Sequence, residues 1–224
     1  MADRCLLYYI TDRSQFRGDE QTRRRALLAK VAEAARAGVN YIQLREKDLN
    51  AKELELLARD AVAVVRENRF TAGHRSPPTR LLINSRTDVA LAVGADGVHL
   101  RADDLSPQEV RAVVEFSAWR PATGHFLVAV SCHTAADVLR AESEKADFVV
   151  FAPVFGKRGA PGTPAAGLDA LRQACDAKIP VLALGGVTLE NAASCLQAGS
   201  AGVAGIRLFQ ENKIEEVVRA LRAL

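Results

Sequence analysis

Short apolar segments recur along the chain, and longer amphipathic segments separate them. The apolar segments predict β-strands at 5–11, 41–46, 80–85, 97–100, 126–132, 148–155, 179–185 and 202–209. They are almost continuously apolar, a pattern typical of parallel strands that are covered on both faces. The amphipathic segments predict helices at 21–38, 51–68, 86–94, 106–115, 135–143, 165–177, 188–199 and 213–223, and several of them end in glycine.

The alternation of eight strands with eight helices predicts the architecture. The 224 residues, divided among eight units, leave 28 residues for each, which is close to the minimum for a strand, a crossover helix and two loops. An open, doubly wound sheet usually has five or six such units, whereas eight close into a barrel of about 200–250 residues. No shift in composition divides the chain. We therefore expect an α/β protein with a single (β/α)8 TIM barrel domain over residues 1–224.

Composition excludes several classes of function. The 30 Lys and Arg residues exceed the 27 Asp and Glu residues too little for a nucleic-acid-binding surface, and aromatic residues are only 5%. The four cysteines (Cys5, Cys132, Cys175 and Cys195) form no C-x-x-C pair, which favours reduced thiols over disulfides or zinc ligands. No apolar stretch has the length of a signal-peptide core or a membrane span. We expect a cytoplasmic protein with no nucleic-acid or membrane partner.

Polar residues at the ends of the predicted strands indicate where chemistry takes place, because catalytic groups in such barrels stand at the carboxyl ends of the strands. In QLREK, a period of two puts Gln43, Arg45 and Lys47 on one face, at the interior or mouth of the barrel. Two cations at this place require an anionic partner. That partner is either a carboxylate, namely Glu46, Asp48 or one from a neighbouring strand, or a bound anion. A diphosphate suits an arginine and a lysine well.

Two glycine-rich segments near the carboxyl end predict a second anion site. ALGGVT contains Gly185 and Gly186 before a helix, and AGVAGIRLF forms the eighth strand. In these barrels the loops after strands seven and eight commonly bind phosphate through backbone N–H groups. Tight turns also need glycine, so glycine alone is a weak signal. Two anion sites predict two phosphorylated ligands, or one ligand with charge at both ends.

Asp103 and Asp104 have two alternative interpretations. They could hold Mg²⁺, which takes one or two protein carboxylates and completes its shell with phosphate and water. Either of them, or Ser106, could instead cap the following helix. His99 and His133 each stand at a strand end, where a histidine is either a hydrogen-bonded packing residue or a catalytic group. Neither belongs to a zinc-binding pattern.

Five segments together resemble the thiamine phosphate synthase and TenI family. They are YYITDR (8–13), QLREKDL (43–49), IN-x-R-x-DVALAVGADGVHL (83–100), SCHT (131–134) and IPVLALGGVTLENAASCLQAGSAGVA (179–204). The resemblance covers nearly the whole chain in the same order and implies a (β/α)8 barrel. It also implies an enzyme of thiamine biosynthesis that joins a hydroxymethylpyrimidine diphosphate to a thiazole phosphate and releases diphosphate.

The resemblance also implies roles for the candidate residues. Arg45, Lys47 and Asn84 would bind the diphosphate, Asp104 would ligate Mg²⁺, and Gly186 would meet the thiazole phosphate. The expected catalytic residues are Ser131, His133 and Lys157. The expected substrate-binding residues are Gln43, Arg45, Lys47, Asn84, Ser85, His99, Arg158, Gly185, Gly186 and Arg207, and the expected metal ligands are Asp103 and Asp104.

The chain departs from the synthase pattern at four places. Ser85 replaces an aspartate that ligates the metal, and Arg101–Ala102 replace the usual Gly-Gln. The lysine of the loop after strand six is either Lys157 or Arg158, and Arg207 stands at a phosphate-binding serine position.

The replaced metal ligand keeps two other functions open. One is a TenI-like thiazole tautomerase, an isomerase that works without magnesium and would use His133 as its proton shuttle. The other is a barrel that binds a thiamine intermediate without turnover. The oligomeric state also stays open, with a homodimer as one alternative.

Overall fold

The computed structural model describes residues 5–68, 77–117, 124–156 and 164–224, and its eight parallel strands close into a barrel in sequence order. The strands are β1 (Leu6–Ile10), β2 (Tyr41–Leu44), β3 (Arg80–Asn84), β4 (Gly97–Leu100), β5 (Leu127–Cys132), β6 (Phe148–Phe151), β7 (Val181–Ala183) and β8 (Gly202–Gly205). The helices are α1 (Glu20–Ala37), α2 (Ala51–Asn68), α3 (Thr87–Val93), α4 (Pro107–Phe116), α5 (Ala135–Ser143), α6 (Gly167–Ala174), α7 (Ala192–Gln197), α8 (Arg207–Gln210) and α9 (Ile214–Arg222). The predicted (β/α)8 barrel is confirmed.

Alternation along the strands separates the core into two layers. Inward side chains such as Tyr8, Leu82 and Phe148 form the interior layer, and outward ones such as Ile42 and Val98 pack against the helices. In the interior, the rings of Tyr41 and Phe148 stack at 4.6 Å between centroids, and Tyr8 meets Phe148 edge-on at 5.5 Å. Because side chains fill the interior, a ligand can reach the barrel only at its mouth, where the carboxyl ends of the strands meet.

Several strands end earlier than their apolar runs. β6 ends at Phe151 instead of residue 155, and β2 ends at Leu44 instead of residue 46. The prediction of a strand over 202–209 is wrong in its second half, which forms α8 with Leu208 and Phe209 buried. An apolar run of this length does not distinguish a short buried helix from a strand.

The helix ends follow local sequence signals. Ser106 caps α4 in a capping box with Glu109, so neither Asp103 nor Asp104 is the cap. Thr134 and Asp137 form a second capping box at α5. No helix in the described ranges is long and apolar enough to cross a membrane.

Gly97 lets β5 approach β4 closely. A Cβ atom at this position would lie 2.2 Å from the carbonyl oxygen of Leu127, a backbone atom that cannot move aside cheaply. We expect Gly97→Ala to lower the free energy of unfolding by about 1–3 kcal/mol or more, because overpacking forces the strands apart. Urea denaturation measures this loss.

Gly156→Ala is the matched control, because no described atom lies within 4 Å of the Cβ it would add. Equal losses of stability in the two variants would contradict the steric explanation.

Candidate functional site

Four neighbouring strands bring polar side chains together at the mouth. Asn84 pairs with His99 in the register of β3 and β4. The Nε2 atom of Gln43 donates a hydrogen bond to Oδ1 of Asn84 at 2.8 Å, and Nε2 of His99 lies 2.8 Å from Oγ of Ser131. The four residues therefore form a continuous polar floor across β2, β3, β4 and β5.

His99 is a neutral member of this floor. It is 2% exposed, and its Nδ1 atom lies 3.0 Å from the hydroxyl of Tyr8. Burial, reinforced by the positive charge of Arg45 and opposed by Asp104, lowers the pKa of His99 to about 3. Two hydroxyl partners suit a neutral imidazole, which offers one N–H donor and one lone pair. His99 can thus hold a ligand by hydrogen bonds, but it carries no charge near neutral pH.

Arg45 lies just beyond the end of β2, over this floor. Its backbone N–H donates to Oγ1 of Thr11 at 3.0 Å, and its charge acts on His99. Across the described parts of the chain, no carboxylate forms an ion pair with its guanidinium. Lys47 follows on the same loop and is exposed. The mouth therefore carries an arginine that is available to an anion.

A buried arginine that the sequence analysis missed explains this availability. Arg13 is 4% exposed, and its Nη1 atom lies 3.2 Å from Glu46 and 2.6 Å from Asp48. Its Nη2 atom donates to Asp48 at 2.9 Å, and its Nε atom donates to Glu20 at 2.9 Å. Glu46 and Asp48 therefore bind Arg13, and the alternative in which they balance Arg45 is wrong.

The ion pair joins the loops that follow β1 and β2. Glu46 is 6% exposed, and it also accepts hydrogen bonds from the hydroxyl of Thr11 at 2.6 Å and from the backbone N–H of Arg13 at 2.9 Å. Burial raises the pKa of Glu46 even though these bonds act against the shift. The only sequence signal for this contact is the position of Arg13 directly after β1, beside β2 in the barrel.

On the other side of His99, Asp104 turns into the mouth. Its side chain is 11% exposed, and its Oδ2 and Oδ1 atoms accept from the backbone N–H of Arg101 at 2.7 Å and from Nη2 of Arg101 at 3.1 Å. Although burial raises it, the bonds from Arg101 and Ser85 hold the pKa of Asp104 below its usual value. Asp103 is the more exposed of the two aspartates, with 72% of its side chain accessible.

The oxygen atoms at and beside Asp104 suit a magnesium ion. Ser85 has φ +61°, its backbone N–H donates to the carbonyl oxygen of His99, and its Oγ accepts from Nδ2 of Asn84 at 3.0 Å. Asp104 and Ser85 thus offer a carboxylate and a hydroxyl as oxygen ligands for Mg²⁺, whereas the amide oxygen of Asn84 accepts from Gln43. No group of three or more His, Cys, Asp and Glu side chains in the described segments could hold a metal alone. An ion here would complete its shell with water or with oxygens from a substrate.

On the opposite side of the barrel, the loops after β6 and β7 pack on each other. Gly185 and Gly186 both have positive φ, and a Cβ on Gly185 would lie 2.7 Å from Cα of Pro153. The backbone N–H of Phe155 donates to the carbonyl oxygen of Gly185 at 2.9 Å. This packing requires both glycines whatever they bind, and Gly186 stays exposed at the surface of the turn.

Two further candidate residues, His133 and Arg207, follow β5 and β8. His133 is exposed before α5, with its Nδ1 atom 2.6 Å from the carbonyl oxygen of Ala152. Arg207 is the exposed first residue of α8, so its predicted position on the eighth strand is wrong. Lys157 and Arg158 lie outside the described residues.

The chain is similar to a set of named proteins. A family model described as thiamine monophosphate synthase matches residues 7–209. The thiamine-phosphate synthase of Methanoculleus marisnigri is 37% identical over 220 residues, covering 96% of this chain and 93% of that protein. The thiamine-phosphate synthase of Syntrophomonas wolfei is 35% identical over 225 residues, covering 97% and 95%. The solved structure of thiamine phosphate pyrophosphorylase from Pyrococcus furiosus superposes with a TM-score of 0.75 at 27% identity, covering 99% of this chain and 95% of that one.

The neutral state of His99 can be tested by nuclear magnetic resonance. We expect its ring signals to stay constant from about pH 8 to about pH 5, while N-acetylhistidine in the same sample titrates near its ordinary pKa of about 6.5. The reason is that burial holds the pKa of His99 at about 3. A titration of the His99 ring with a midpoint between these limits would contradict the buried, neutral imidazole.

The same shift has a consequence for stability. Below its ordinary pKa of 6.5, His99 binds a proton in the unfolded chain but not in the folded one until the pH reaches about 3. His99 therefore contributes stability that is complete above pH 6.5 and decreases by about 1.4 kcal/mol per pH unit below it.

Proposed function

Because the chain belongs to the thiamine monophosphate synthase family, an enzyme family of thiamine biosynthesis, we propose that it forms thiamine phosphate from a hydroxymethylpyrimidine diphosphate and a thiazole phosphate. In this reaction the bond between the pyrimidine methylene carbon and a diphosphate oxygen breaks. The lone pair of the thiazole nitrogen forms the new bond to that carbon, and diphosphate leaves with the electron pair. The reaction written in this way requires no proton transfer.

The observation that carries the proposal is Arg45 beside a neutral polar floor. A pyrimidine diphosphate has a flat, uncharged ring and a strongly anionic tail. The Gln43–Asn84 and His99–Ser131 hydrogen bonds present neutral donors and acceptors to such a ring. Arg45, whose guanidinium forms no ion pair with described residues, presents a fork of donors to the tail. Lys47 adds a point charge on the same loop.

Catalysis then consists of positioning and charge neutralisation. Negative charge builds on the diphosphate as it leaves, and cations placed in advance stabilise that charge. Holding the thiazole nitrogen in line with the breaking bond removes most of the entropic cost of the encounter. Neutral His99 suits this chemistry, since it orients Ser131 and the pyrimidine ring without attracting the diphosphate away from Arg45.

Magnesium and the second substrate complete the proposal. Asp104, with the hydroxyl oxygen of Ser85, would hold Mg²⁺, which would neutralise charge on the diphosphate. The turn at Gly185 and Gly186 would bind the phosphate of the thiazole through backbone N–H groups. We place the reaction in the cytoplasm, with small molecules as the partners of the enzyme. Its oligomeric state is either a monomer or a homodimer.

Incubation of the purified protein with both phosphorylated substrates and Mg²⁺ tests the activity. We expect release of diphosphate together with formation of thiamine phosphate. Absence of both products would reject the synthase. Proton exchange on a thiazole carboxylate phosphate would then favour the isomerase with His133, and binding without any turnover would favour the non-catalytic barrel.

The role of Arg45 has its own test. We expect Arg45→Ala to weaken binding of inorganic diphosphate by roughly tenfold to 150-fold, since a hydrogen bond to a charged group contributes about 1.5–3 kcal/mol. Isothermal titration calorimetry measures the affinity. Arg59→Ala removes the same charge from the exposed face of α2, where Arg59 pairs with Glu55, and serves as the control. Equal affinities of the two variants would show that Arg45 does not bind the anion.

A further inference from the structure

Arg101 is the cationic partner of Asp104 in the structure. Its Nη2 atom is 3.1 Å from Oδ1 of Asp104 and 3.4 Å from Oδ2 of Asp103, so one guanidinium nitrogen is shared by both aspartates. The backbone N–H of Arg101 holds the other oxygen of Asp104 at 2.7 Å. Within the described residues, the carboxylate that faces the mouth therefore already has a cation from the chain itself.

The two partners differ in how firmly the structure holds them. The side chain of Asp104 is 11% exposed and is fixed by a backbone hydrogen bond, whereas the side chain of Arg101 is 49% exposed. An ion pair with an exposed partner contributes little, because solvent screens the attraction. The guanidinium can therefore leave Asp104 at small cost, while the carboxylate stays in place.

We propose that Arg101 and a divalent cation are alternative partners of Asp104, and that Arg101 moves to the diphosphate when the ion binds. This inference rests on the proposed function, because the diphosphate is the anion that would receive the guanidinium. The exchange keeps Asp104 neutralised in the free protein. In the complex the exchange adds a third cationic side chain beside the diphosphate, together with Arg45 and Lys47. Ser85 stands at the position where the family pattern has a second metal-binding carboxylate.

The first experiment titrates the protein alone with Mn²⁺, a paramagnetic substitute for Mg²⁺, and follows the free ion by electron paramagnetic resonance. We expect Arg101→Gln to bind Mn²⁺ about fivefold more tightly than the unchanged protein, since the competing ion pair of up to about 1 kcal/mol is gone. Asp104→Asn should remove this binding. Arg172→Gln is the matched control, because Arg172 forms an exposed pair with Asp169 at the same spacing of three residues.

The second experiment measures binding of inorganic diphosphate in the presence of Mg²⁺ by calorimetry. We expect Arg101→Gln to bind diphosphate about tenfold more weakly, because a charged hydrogen bond to the anion is lost. The same variant thus binds the ion more tightly and the anion more weakly. A residue that only stabilises the loop would weaken both.

Equal Mn²⁺ affinities of Arg101→Gln and the unchanged protein would overturn the exchange, as would the absence of any Mn²⁺ binding that depends on Asp104. Unchanged diphosphate affinity in Arg101→Gln would overturn the movement to the anion. Failure of the proposed function looks different, because the unchanged protein itself would then bind no diphosphate with or without Mg²⁺.

Discussion

The ion pair of Arg13 with Glu46 and Asp48 determines the charge at the mouth of the barrel. Arg13 and Glu46 are both buried, and they connect the loop after β1 to the loop after β2. Buried ion pairs contribute little net stability, because the loss of hydration offsets most of the attraction. The ion pair matters here because it determines where the charged side chains lie. The acidic residues that alternate with Arg45 and Lys47 face Arg13, so the guanidinium of Arg45 is left to the open end of the barrel.

The mouth therefore combines two environments that one ligand can use together. Its floor is polar but uncharged, because burial keeps His99 neutral between Tyr8 and Ser131. Its rim carries arginine and lysine, with Arg101 on the side of Asp104. A ligand with a neutral ring and an anionic tail matches both parts, and this is the chemistry of the first substrate in the proposed reaction.

The sequence predicts the parts of this structure that depend on periodicity. The eight strands, their parallel order and the inward position of Gln43 follow from apolar runs and from a period of two. The contacts between loops could not be predicted, because hydropathy does not indicate which carboxylate Arg13 or Arg101 binds. The helix that begins at Arg207 was missed for a related reason: Leu208 and Phe209 are buried in either a strand or a helix.

The diphosphate affinity of Arg13→Gln, compared with that of Arg13→Gln/Glu46→Gln/Asp48→Asn, tests the central claim most directly. The single variant leaves Glu46 and Asp48 without their cation, at a cost of about 3–5 kcal/mol in stability for the buried Glu46, and frees both carboxylates to attract Arg45. Our account predicts that calorimetry shows weaker diphosphate binding in the single variant and recovery in the triple variant, in which residues 46 and 48 carry no charge. Full diphosphate affinity in a folded Arg13→Gln protein, or no recovery in the triple variant, would contradict the account.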